Sequence, residues 1–320
     1  MKKNVFYVAA LLAGVLSSCS QAENLSLENE EPEQFVAVLA EGETRTMLGG
    51  DDGKSVLWKE GDALAIFRKN AYNYKYITSE NGTNSATFKY ADVFTPGADG
   101  VTGIDQYYAV YPYGEGITIN NDKVVNVKIY KDQTYYENTF DPTAAFMFAA
   151  STDTKLPFQN AHALLKIVLN SMPGDTYTIK SITLTSESNA LSGDATIRMD
   201  DDNKPLLQIL NSGTLTEANN KLTLNCGEGV TIKGRTTNVD EDQGQEVPFY
   251  LVVTPGTYAL ELSINYEGIE KPDVVRIAYQ ENPLTIGRNE IWTIKYTCGN
   301  DEFTGEITGF DTTEQDVNNE

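Results

Sequence analysis

The side chains able to do chemistry in this chain are few, and their positions say more than their number. Cys19 closes the run Leu16-Ser-Ser-Cys19, which follows a basic start (Lys2, Lys3) and an apolar stretch from Val5 to Leu16. A thiol after small residues at the end of such a segment has the lipobox pattern, in which lipid is attached to sulfur and the chain is cut just before the cysteine. The apolar stretch is too short to span a bilayer as a mature helix. A lipid on Cys19 anchors a chain without spanning the membrane. Residues 1–18 are then a lipoprotein signal peptide, and Cys19 begins an outer-membrane lipoprotein precursor. The alternative is an ordinary signal peptide with a chance cysteine.

Arg45 is the one basic residue between Lys3 and Lys54, and acids surround it: Glu23, Glu28, Glu30, Glu31, Glu33, Glu41 and Glu43. It is the one point before the folded body where an arginine-specific surface protease can cut, between Arg45 and Thr46. The alternative is an exposed strand arginine that is never cut.

Two further cysteines, Cys226 and Cys298, lie far apart in sequence. Export permits a disulfide between them, but spacing alone does not establish one. Two buried free thiols are the other reading. His162 is the single histidine, in Phe158-Gln-Asn-Ala-His162. It lacks the spacing of a metal site, because H-E-x-x-H and paired Cys/His motifs are absent. The nucleophile elbow G-x-S-x-G is also absent, as is a phosphate-binding glycine loop before a helix. Acid clusters at 199–204 (MDDDNK) and 240–246 (DEDQGQE) could hold calcium through carboxylates, but neither matches the twelve-residue EF-hand loop. Asp and Asn are also ordinary turn formers between strands. The chain has 46 acids, enough for many carboxylate pairs of a glycosidase, yet nothing singles out one pair. No catalytic residue, metal or cofactor is expected, and the chain reads as a non-enzyme. A formal charge of −22 argues against nucleic acid, whose phosphates need clustered Lys and Arg.

The elements that position these residues read as strands. Residues 20–34 are polar and acidic, so 19–34 forms a tether. From Phe35 the pattern is short apolar or alternating runs separated by turn residues. Val125, Val127 and Ile129 share a face. Tyr258, Leu260, Leu262 and Ile264 alternate with more polar neighbours, as do Val275, Ile277 and Tyr279, and again Trp292, Ile294, Tyr296 and Cys298. Period two marks a strand with one buried face. Residues 163–169 (ALLKIVL) are read as a strand because they are short and β-branched. The apolar phase shifts between Ile179 and Ile182, which predicts a bulge. Residues 247–253 and the alternating strand after Thr-Pro-Gly-Thr (254–257) read as an antiparallel hairpin, with Gly256 taking positive φ in a type II turn. The fold class is all-β, of β-sandwich type. The expected domains are 35–157 and 158–300, with the turn-rich stretch 151–157 at the boundary and a tail at 301–320.

The chain resembles the fimbrillin-like family, lipoprotein precursors of fimbrial subunits and adhesins in Bacteroides-type bacteria. The resemblance rests on motifs in a shared order: the lipobox at Cys19; Thr44-Arg-Thr46 followed by Val56 to Asp62; YYAVYPY (107–113); LPFQNAHALLK (156–166); 181–186 with Leu191-Ser-Gly193; PFYLVVTPGTY (248–258); and RNEIWTI (288–294). It implies two transthyretin-like β-sandwich domains in tandem. It also implies that a protease cut after Arg45 removes the first strand, FVAVLA (35–40), and that a strand from another subunit fills the groove. The partners implied are other fimbrial subunits, and the location is the cell surface or fimbrium. The tail is the candidate donor: Phe303 and Ile307 share a strand face with Gly305 between them, while Phe310 falls on the other face. Stalk, tip and anchor roles stay open. A second reading is a non-polymerising surface lipoprotein that binds glycans or other ligands, since some of its 18 tyrosines could stack on sugar rings.

Overall fold

The structure, a computed structural model, describes residues 34–39, 57–68, 72–94, 105–235, 245–299 and 307–308, and among these there is no helix. Strands follow from alternation: each buries one face, and the sheets they form close over those faces.

Seven strands form a closed barrel. They are β1 (Phe35–Leu39), β2 (Ala63–Phe67), β3 (Asn73–Thr78), β4 (Ser85–Phe94), β5 (Tyr107–Tyr111), β9 (Met147–Ser151) and β10 (Lys155–Asn160), in the order β1-β10-β9-β5-β2-β3-β4. β1 closes the ring, antiparallel to β4 and parallel to β10. Inside lie Phe35, Ala37, Trp58, Leu64, Phe88, Leu156 and Phe158, all fully or almost fully buried.

Outside the barrel, β6 (Thr118–Ile119), β7 (Val125–Ile129), β13 (Gly193–Met199) and β14 (Pro205–Ile209) form a second sheet in the order β14-β13-β7-β6. Val125, Val127, Ile197 and Leu207 of this sheet pack with Phe67, Val110 and Phe148 from the barrel strands.

Two more sheets enclose the largest core. One has the order β16-β11-β21-β22, with β11 (Ala163–Ser171), β16 (Val247–Val253), β21 (Ile291–Cys298) and β22 (Ile307–Thr308). The other has the order β19-β18-β12-β15-β8, with β8 (Asp132–Thr134), β12 (Thr176–Ser186), β15 (Lys221–Lys233), β18 (Leu260–Tyr266) and β19 (Asp273–Arg276). Between them lie Leu165, Ile167, Ile182, Leu184, Leu222, Phe249, Leu262 and Ile294. A short ladder joins β17 (Gly256–Tyr258) to β20 (Leu284–Ile286). Residues 151–157 run from β9 through a turn into β10, both in the barrel. Strands on either side of that stretch also pair: β7 with β13, and β8 with β15.

Several readings of local pattern hold. Residues 163–169 are strand, within β11. The predicted bulge is present, because the register of β12 shifts between Ile179 and Ser181 against both neighbours. Val125, Val127 and Ile129 share a buried face. Two readings need correction. Tyr279 does not continue the buried face of Val275 and Ile277; β19 ends at Arg276, and Tyr279 is 58 % exposed in an isolated bridge. The hairpin after Val253 does not form either. β16 pairs with β11, while β18 pairs with β12 and β19 in the opposite sheet. The segment 254–257 therefore crosses between sheets. Gly256 has no positive φ. It is glycine because a Cβ there would come within 2.7 Å of the Tyr258 hydroxyl, which donates to Thr254 O at 2.9 Å.

Candidate functional site

The feature with most consequence is the seat of β1 in the barrel wall. Its sequence, Phe-Val-Ala-Val-Leu, alternates in the structure as the period requires. Phe35, Ala37 and Leu39 point into the barrel, while Val36 is 38 % exposed. The Phe35 ring meets Tyr76 and Tyr107 edge-on, each with centroids 4.9 Å away. Trp58, further inside, makes T-shaped contacts with Phe88, Tyr111 and Phe158. The middle inward position is narrow, filled by an alanine with no exposed surface. Backbone bonds hold both flanks. Val36 N donates to Thr154 O at 2.9 Å, and Leu39 N donates to Asn84 O at 3.0 Å.

β1 thus satisfies two edges at once. Its register runs Val36↔Lys155 to Leu39↔Phe158 on one side, and Phe35↔Phe88 to Val38↔Ser85 on the other. Without it, β4 and β10 would each present an unpaired edge, and the barrel interior would open along one seam. Burial of Phe35 and Leu39 contributes about 1.5–3 kcal/mol each.

At the barrel's end Asp62 closes a turn. Its Oδ2 accepts from Lys59 N at 2.8 Å and its Oδ1 accepts from the Tyr111 hydroxyl at 3.1 Å. Burial raises the Asp62 carboxyl above its usual range, opposed by the hydrogen bonds from Lys59 and Tyr111. Burial and then the Asp62 charge raise the Tyr111 phenol well above its ordinary value.

The sequence-derived sites are dispersed. Cys19, Arg45, Thr46, Phe303 and Phe310 lie outside the described residues. Ile307 is in β22, which pairs with β21 through Ile294↔Ile307 and Thr293↔Thr308. Cys226 on β15 and Cys298 on β21 are free, buried thiols, so the disulfide that export would permit is absent. Burial pushes Cys226 up to about 12 and Cys298 to about 11. His162 is buried, its Nδ1 3.0 Å from Phe146 O and its ring against Phe140. These are contacts of a packed side chain rather than of a metal ligand. In the acid cluster at 199–204, Asp200 Oδ1 accepts from Asp202 N and Lys204 N, forming the turn between β13 and β14. Of the cluster at 240–246 only Gln245 and Glu246 are described. Among the described residues no group of three or more His, Cys, Asp or Glu is gathered as a metal site.

The residues that seat β1 were not singled out in the sequence. Trp58, Tyr107 and Tyr111 did lie in the motifs VLWKEGD and YYAVYPY, and Tyr76 falls on the inward face of β3.

No family model matches the chain, and no curated protein matches it. Solved structures do. A Bacteroides ovatus protein named for cell adhesion superposes with a TM-score of 0.50 at 11 % identity, covering 87 % of this chain and 95 % of its own. A Bacteroides uniformis protein, also named for cell adhesion, gives 0.42 at 15 %, covering 87 % and 96 %. The tip fimbrial protein Mfa3 of Porphyromonas gingivalis, truncated at its C-terminus, gives 0.35 at 11 %, covering 87 % and 98 %. The first of these has the fold of this chain over nearly its whole length. The likeness is one of fold, shared with a protein named for cell adhesion.

Proposed function

We propose that the protein is a fimbrial subunit or adhesin, made as an outer-membrane lipoprotein precursor on Cys19 and assembled at the cell surface by strand exchange. Its body is two transthyretin-like sandwich halves, residues 35–157 and 158–300. The barrel core and the largest core support this division, since one draws on Phe35 to Phe158 and the other on Ala163 to Cys298, while the core under β7 and β13 draws on both halves and joins them. An arginine-specific protease cuts between Arg45 and Thr46 and releases β1 with its tether and lipid. A strand from the tail of another copy or another subunit, containing Phe303 and Ile307 on one face and Phe310 on the other, fills the seam. Added strands restore backbone hydrogen bonds and bury alternate side chains. Head-to-tail donation does not close on itself, so it builds a filament. The protein acts by assembly and attachment, with no catalytic step.

The observation that carries this reading is the position of β1. It precedes Arg45 in sequence and fills one complete seam of the barrel in space, so a single cut near Arg45 frees an entire wall strand. Replacing Arg45 with Ala tests it. The expected outcome is a stable, folded precursor that forms no filaments. Normal filaments from Arg45→Ala would overturn the processing step.

A further inference from the structure

A second site lies away from the β1 seam, between the loop that follows β5 and the sheet containing β7 and β13. A cleft of about 580 Å³ opens there, lined among others by Tyr113, Asn126, Lys128, Tyr130, Asp194 and Leu210. Ligand sites of small molecules fall in the range of about 300–1,000 Å³. A second depression, also about 580 Å³, adjoins it and shares Lys128, Tyr130 and Asp194. Tyr130 is the most exposed of the large hydrophobic side chains described, at 66 %, and stands where the two depressions meet.

The chemistry around Tyr130 is mixed. Lys128 Nζ lies 5.8 Å from the Tyr130 ring centroid, and Lys75 Nζ lies 4.8 Å from that of Tyr113, so each ring has an ammonium nearby. Lys128 and Asp194 are direct partners in the β7–β13 ladder, yet they form no ion pair within 4 Å. The Asn126 amide nitrogen donates to Thr118 Oγ1 at 3.2 Å, which leaves its amide oxygen as an acceptor. The site thus offers two aromatic faces, one ammonium donor, and carboxylate and amide acceptors. An anionic ligand would meet Asp194 and a chain of net charge −22. A purely apolar ligand would desolvate Lys128 and Asp194 without replacing their hydrogen bonds. A pyranose satisfies both demands. Its C–H face packs on an aromatic ring, and its hydroxyls donate and accept.

We infer that this double cleft binds a neutral glycan, with a sugar ring stacked on Tyr130 and neighbouring units in the two depressions. Asp194 accepts from hydroxyls on either side of the ring, and Lys128 donates to them. The site is separate from the β1 seam and does not rest on the strand-exchange reading.

Saturation-transfer NMR on the full-length protein tests this, with lactose, N-acetyllactosamine, maltotriose and diacetylchitobiose as probes at millimolar concentration. At least one sugar should show transfer to its ring C–H protons. Tyr130→Ala should weaken its binding at least about tenfold, equivalent to about 1.4 kcal/mol. Tyr130→Phe, which keeps the ring face, should retain binding, and Asp194→Asn should weaken it. Because Tyr130 is so exposed, both Tyr130 variants should stay folded, with the urea midpoint of the parent, and Tyr130→Ala should assemble as the parent does. Silence from all four sugars overturns the inference. So does binding that is unchanged in both Tyr130→Ala and Asp194→Asn.

Discussion

At the scale of single residues, burial decides what each side chain can do. Cys226 and Cys298 are thiols in an apolar core, and burial holds both protonated well past neutral pH. At pH 8 neither should react with a thiol reagent in the native protein, and both should react after denaturation in urea; quantitative labelling of the folded chain would contradict their burial. The sign of the pH effect follows. A folded-state value raised from 9.0 to about 12 and about 11 favours the folded state fully below pH 9, and that contribution is lost as pH rises through 11 to 12. Tyr258 and Tyr266, also raised by burial, act in the same direction. The urea midpoint should therefore be steady from pH 7 to the unfolded thiol value and fall above it. Gly256 provides a steric test. Gly256→Ala places a methyl against the buried Tyr258 ring and should cost about 1–3 kcal/mol by urea titration. The need for glycine at 256 was legible in the sequence, but the reason was not. A type II turn and a close approach by Tyr258 select the same residue, and only the three-dimensional path separates them.

At the scale of elements, the alternation of apolar residues located most strands but not their partners. Strands β18 and β21 follow from period two alone, because a half-buried strand must show it; β11, buried on both faces, was legible only from its short length and β-branched residues. The pairing of β16 with β11 instead of β18 does not follow, since sheet partners are set by contacts between distant segments. The same limit hid the closure of the barrel: nothing local to FVAVL shows that it lies parallel to β10 and antiparallel to β4. The cleft around Tyr130 and Asp194 was invisible for this reason too, because β7 and β13 meet only in the fold. Once β1 is placed, its narrow centre gives a prediction. Ala37 has no exposed surface, so Ala37→Leu should overpack the seam and cost about 1–3 kcal/mol, read as a lowered urea midpoint. The tail also takes on a different aspect. Gly305 between Phe303 and Ile307 looked like a broken alternation, yet β1 itself carries large, small, large at Phe35, Ala37 and Leu39. A small middle residue is what this seam accommodates. β22 pairs with β21 over two residues. Deleting residues 301–320 should leave the precursor's melting temperature nearly unchanged while abolishing filament growth; filaments from the truncated chain would remove the tail as donor.

For the whole molecule, the governing quantity is charge. The full chain carries a net −22, and the chain from Thr46, with 21 basic and 39 acidic residues, carries −18; this charge keeps copies apart in dilute salt, so the proposed head-to-tail association must work against long-range repulsion. Raising ionic strength from about 0.01 to 0.15 M shortens the screening length from about 30 to 8 Å. Assembly of the cut protein, followed by light scattering, should accelerate over that range; slowing would imply that attraction between charges drives docking. The central claim is that β1 leaves the chain during assembly. The most direct measurement is the N-terminal sequence and intact mass of the protein recovered from filaments on the cell surface. A chain that begins at Thr46 and carries no lipid is the expected result. Filaments built of chains that begin at lipidated Cys19, with β1 still present, would contradict it.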